Sequence, residues 1–81
     1  MNILELINQG ANELKFKKII SYKLDSEILL SKVLKKKREE ILINLNKQVQ
    51  FDKILEFNEL IKRRSLKEPI AYILKEKEFW S

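Results

Sequence analysis

The chain has 81 residues, one small domain near the lower size at which an apolar core holds a fold unaided, and an apolar share of 44% that suits a globular protein. It contains no cysteine and no histidine, which excludes disulfides, thiolate nucleophiles, imidazole bases and the usual zinc sites together. The net charge is +5, but lysine, isoleucine and asparagine supply 31 of the 81 residues against three arginines. An A+T-rich genome yields that mixture, so the charge is a weak argument for a nucleic-acid partner. No apolar run is long enough to span a membrane, and the first residues lack the basic start and apolar stretch of a signal peptide. The cytoplasm is the default location.

Gly10 and Pro69 are the only strong helix breakers, so the expected fold class is all-α, a small bundle of about five helices. From Ile3 to Leu14, the residues Ile3, Leu4, Leu6, Ile7, Ala11 and Leu14 mark one face of a first helix. Gly10 lies in that stripe and would let a neighbour approach closely. Ser21 is the expected N-cap of a second helix, with Asp25 and Glu27 placing negative charge near the positive end of its dipole. Its apolar residues, Tyr22 to Leu34, surround most of the circumference, which predicts a central helix with neighbours on several sides.

The run Lys35-Lys36-Lys37-Arg38 places cations at the end of that helix. A break near Lys35–Lys37 is expected, then a short third helix carrying Ile41, Leu42 and Leu45. After a polar connector, Phe51, Ile54, Leu55, Phe57, Leu60 and Ile61 predict a fourth helix with a broad apolar arc, inside which Asn58 would be a buried, satisfied amide. Arg63-Arg64 close it. Pro69 suits the first position of a short fifth helix that turns Ile70, Ile73 and Leu74 inward. Glu76–Ser81 has no helical stripe and reads as extended.

A single glycine rules out a glycine-rich phosphate or nucleotide loop. The carboxylates form no spaced catalytic pair, and the serines have no histidine to activate them. On its own residues the chain is not expected to be catalytic or to bind a cofactor or metal.

"DSEILL" (Asp25–Leu30), "RR" (Arg63-Arg64), "EPIAYIL" (Glu68–Leu74) and "EFWS" (Glu78–Ser81), in that order and spacing, resemble the N-terminal helical domain of the HemK/PrmC-type release-factor glutamine methyltransferases. The resemblance covers roughly Ser21 to the end; Met1–Lys18 matches only as an amphipathic helix. It implies a parent enzyme of two domains. A helical domain recruits the substrate, and a Rossmann-like domain binds S-adenosylmethionine and holds the substrate amide in an Asn-Pro-Pro-Tyr motif. The family methylates the glutamine of the Gly-Gly-Gln motif in peptide chain release factors.

Neither the cofactor loop nor Asn-Pro-Pro-Tyr occurs here. The resemblance therefore divides the chain into a recruiting domain, 1–74, and the start of an interdomain hairpin or linker, 75–81, leading to a methyltransferase domain that this chain lacks. The implied partners are a release factor and that missing domain. A stand-alone basic helical module for nucleic acid is the alternative. Lys35, Lys67 and Lys75 stand where relatives often have glycine after helices, and Tyr22 where they often have proline, which puts the helix ends and loops in question.

Arg63, Arg64, Tyr72, Phe79 and Trp80 are the candidate partner or interdomain contacts. Arg63 and Arg64 also fit a second role, cations complementing the end of the fourth helix. Tyr72, apolar in body and polar at its tip, fits either a domain boundary or the core. Phe79 and Trp80 would pack between the two domains of the parent.

Overall fold

The structure is a computed structural model that describes residues 1–79, with side chains through Lys75. Among the described residues, five helices follow one another: α1 (Ile3–Phe16), α2 (Tyr22–Leu34), α3 (Arg38–Leu42), α4 (Phe51–Ser65) and α5 (Ile70–Phe79). α2 is the central element and packs against all four others, as its all-round apolar pattern requires. Leu6, Leu14, Leu29, Leu30, Ile41, Phe57 and Ile73 are fully buried in one continuous core.

α1 starts with a capping box that the sequence announces as "NILE": the Asn2 side chain accepts the Glu5 N–H at 2.8 Å, and the Glu5 carboxylate accepts the Asn2 N–H at 2.9 Å. The next N–H groups, those of Ile3 and Leu4, donate to the carbonyls of Lys47 and Leu45, and the Val49 N–H donates to the Met1 carbonyl. The beginning of α1 is thus fastened to the loop before α4. Its other end is fastened to the end of α4, where Lys67 Nζ donates to the Lys17 carbonyl at 2.7 Å. α1 and α4 consequently run side by side in the same direction. Close packing of α1 is possible because Gly10 has no side chain: a Cβ there would lie 2.6 Å from Ser26 Oγ and 2.8 Å from both Ile61 Cδ1 and Phe57 Cζ.

Three helices end on a left-handed lysine, Lys18 (φ 65°), Lys35 (φ 57°) and Lys67 (φ 75°). After each, the chain makes the long return bond of a Schellman turn: Ile19 N–H to Leu14 O, Lys36 N–H to Ser31 O, and Glu68 N–H to Arg63 O. Lys35 and Lys67 therefore adopt the conformation that glycine favours. Lys75 does not, because α5 continues through it.

Several sequence expectations need correction. Asn58 is exposed, since α4 buries only Phe57, Leu60, Ile61 and Ser65 completely. Phe51 and Leu55 are exposed as well, so the apolar arc of α4 is wider than the core it meets. Ser21 precedes α2, but its hydroxyl turns to Asp25 and makes no backbone cap. Leu45 falls after α3, in the connector. Pro69 lies one position before α5, where its carbonyl accepts the N–H groups of Tyr72 and Ile73. The extended conformation expected from Glu76 is not found at Glu76–Phe79: α5 runs on through Phe79. The stretch Lys75-Glu76-Lys77-Glu78 consists of good helix formers and has no partner strand among the described residues. Trp80 and Ser81 lie outside the described residues, so the hairpin reading of "EFWS" is not addressed for them.

Candidate functional site

The segments "DSEILL", "RR" and "EP" meet where α2, α4 and α5 converge. Asp25 sits in the first turn of α2 with its side chain 4% exposed, an environment in which a carboxylate requires a partner. Arg64, near the end of α4, supplies it: Nε donates to Asp25 Oδ2 at 2.9 Å. Ser21 Oγ donates to the same oxygen at 2.9 Å. Arg64 Nη1 donates to the Glu68 carbonyl at 2.8 Å, which ties the turn leading into α5 to the same guanidinium.

Arg63, one residue earlier, grips the Glu68 side chain with both arms of its fork, Nε to Oε2 at 2.9 Å and Nη2 to Oε1 at 2.6 Å. The Arg63 hydrogen bond lowers the Glu68 carboxyl below its ordinary range; burial opposes this, and the Arg63 positive charge adds to it. The pair also spans the Schellman turn at Lys67, linking the two positions that an apolar contact usually joins.

The arrangement holds three helices in register, and its arginines serve more than the dipole of α4. Asp25 is the member that sequence reasoning missed, having been read as a dipole complement. An acid embedded in an all-round apolar helix was the available signal, because such a carboxylate demands a cation from elsewhere in the fold. Of the remaining candidates, Tyr72 is 56% exposed on α5. The side chain of Phe79 and all of Trp80 are outside the described residues.

A second feature lies between α1 and α4, a cleft of about 420 Å³. Gln9, Glu13 and Lys17 form one wall, and Asn58, Lys62 and Leu66 the other. Gly10, Ile61 and Ser65 complete its lining.

The profile of the PrmC N-terminal domain matches residues 5–74. A release factor glutamine methyltransferase from Buchnera aphidicola of Acyrthosiphon pisum is 44% identical over the whole chain, which covers 28% of that relative. A protein of the same name from Buchnera aphidicola of Baizongia pistaciae is 48% identical over 84% of the chain and 25% of its own length. A bifunctional methyltransferase of Rickettsia felis is 39% identical over 99% of the chain, 15% of the relative. The chain thus spans about a quarter of the length of the first two relatives. No solved structure gives a significant match. The helices, the interlocked motif residues and the profile coincide over the same stretch, and the chain belongs to the PrmC N-terminal domain family.

Proposed function

We propose that this chain is the substrate-recruiting domain of a protein-(glutamine-N5) methyltransferase that modifies the Gly-Gly-Gln glutamine of peptide chain release factors. The observation that carries the reading is the family match over residues 5–74 together with relatives of that name three to four times longer than this chain. In the parent enzyme a separate domain binds S-adenosylmethionine and performs the transfer in the cytoplasm. Residues 1–74 form the recruiting unit, and 75–81 begin the connection to the catalytic domain.

Within this reading the network of Asp25, Arg63, Arg64 and Glu68 positions α5 on α2 and α4. Tyr72 offers its exposed ring to the partner or to the catalytic domain, while Phe79 and Trp80 pack at the interdomain boundary. Arg63 and Arg64 influence release-factor binding by fixing the surface that carries Tyr72.

The test compares the parent enzyme with and without residues 1–74 on two substrates, an intact release factor and a short Gly-Gly-Gln peptide. A recruiting domain predicts a raised KM on the intact factor and unchanged methylation of the peptide. Equal losses on both would show that the domain supports the catalytic fold and does not recruit.

A further inference from the structure

One end of the bundle carries three apolar side chains that the core does not use: Phe16 (79% exposed), Ile20 (96%) and Leu66 (69%). They belong to two turns, α1–α2 and α4–α5, which the Lys67–Lys17 bond and the Ser21–Asp25–Arg64 contacts hold side by side. Lys17, Lys18 and Lys67, all exposed, surround them. Of the carboxylates near this end, Asp25 is engaged by Arg64 and Glu68 by Arg63, while Glu13 lies on the cleft wall beside Lys17 and Lys62. The charges of Lys18 and Lys67 at the patch have no acidic neighbour in these pairs, and lysines outnumber the one remaining acid. Helix dipoles account for cations at the ends of α1 and α4. They do not account for a nearly naked isoleucine among those cations.

We infer that this end docks an acidic protein segment bearing a bulky apolar side chain. Charge complementarity sets the sign of the partner, since several lysines crowd a few apolar tips. The cleft between α1 and α4 sets its class. Lys17 and Leu66 line both the cleft and the patch, so the exposed surface leads into a concavity of about 420 Å³. A projecting side chain fills such a concavity; a flat lipid surface does not. A branched aliphatic tip such as Ile20 offers nothing to a nucleobase stack or a phosphate. α5 departs from this same end and carries the chain away from it over ten residues, about 15 Å. This inference stands apart from the methyltransferase reading and needs no catalytic domain.

The experiment titrates the isotopically labelled chain with a synthetic peptide in which glutamates flank one phenylalanine, following backbone amides by NMR. Shifts are expected at 16–20, at Leu66 and Lys67, and along the cleft at Gln9 and Glu13. Ile20→Ser should weaken binding about tenfold, the effect of losing one central apolar anchor. Because Ile20 lies on the surface, that variant keeps its fold. Lys18→Gly removes a charge while keeping the left-handed turn, and should weaken binding as well. The inference is overturned by the absence of shifts, or by equal binding of a peptide with serine in place of phenylalanine. It is also overturned if poly-uridine RNA or phosphatidylglycerol vesicles move the same amides more strongly, or if the chain alone does so on concentration, which would mark a second copy as the occupant.

Discussion

Ser26 on α2 and Gly10 on α1 share one point of contact: the serine hydroxyl donates to the Ile7 carbonyl at 2.8 Å and occupies the space that a side chain on Gly10 would need. Two helices meet there through a hydrogen bond between a side chain and a backbone carbonyl, an approach that a glycine permits and a methyl group would obstruct.

Gly10→Ala should therefore destabilise the fold. Alanine gains about 1 kcal/mol in helix propensity, but overpacking a filled core costs about 1–3 kcal/mol, and the ring of Phe57 and the bonded hydroxyl of Ser26 have little room to retreat. A net loss of about 1 kcal/mol is expected, read from the midpoint of urea unfolding. A raised midpoint would show that the α1–α2 contact yields easily.

Arg64→Ala leaves the Asp25 carboxylate nearly buried without its cation, and should cost about 3 kcal/mol. Asp25→Ala should cost a similar amount. The double variant should lose much less than the two single losses combined, because neither charge is then stranded. A thermodynamic cycle measured by chemical denaturation checks the pair; additive losses would mean that the two residues act separately.

The left-handed lysines give a prediction of opposite sign. Lys35→Gly should stabilise the chain by about 0.5–1 kcal/mol, since glycine adopts positive φ without the steric cost that a Cβ adds. Lys67→Gly should gain less, because it also loses the bond from Lys67 Nζ to Lys17. Lys75→Gly, within α5, should be destabilising. Thermal unfolding of the three variants separates these cases.

The Arg63–Glu68 pair adds a pH dependence. The Glu68 pKa is lowered in the folded chain, chiefly by its hydrogen bond to Arg63, so its contribution is fully present above the unfolded carboxylate pKa. That contribution declines as pH falls through the unfolded value and onward through the lowered folded one. Glu68→Gln should flatten this part of the acid limb in stability measured against pH. An acid limb identical to that of the parent chain would show that Glu68 protonation does not matter to folding.

The helices were legible because periodicity reports which faces are buried, and α2, apolar on most sides, did prove central. Gly10 was legible for the same reason: a glycine in an apolar stripe signals a close neighbour. What periodicity does not carry is the breadth of the core that an apolar arc will meet, so Phe51 and Leu55 were expected inside and lie outside. Nor does it carry the pairing of distant charges. Arg63 and Arg64 were legible as a motif, but their ties to Glu68 and Asp25 depend on how α2, α4 and α5 converge. The helical course of Glu76–Phe79 was missed because an apolar stripe was taken as the condition for a helix, where local propensity in a Lys-Glu stretch also favours one.

The start of α1 has its first two amide hydrogens, those of Ile3 and Leu4, bonded to the carbonyls of Lys47 and Leu45, which a ribosome adds long after α1 itself has emerged. α1 and α2 can pair early as a local hairpin, but α1 remains unfastened at its head until that later stretch arrives and the intervening loop closes. Slow exchange of the Ile3 and Leu4 amides with solvent deuterium therefore marks the moment at which the whole domain has assembled, and a nascent chain stalled before Lys47 will not show it.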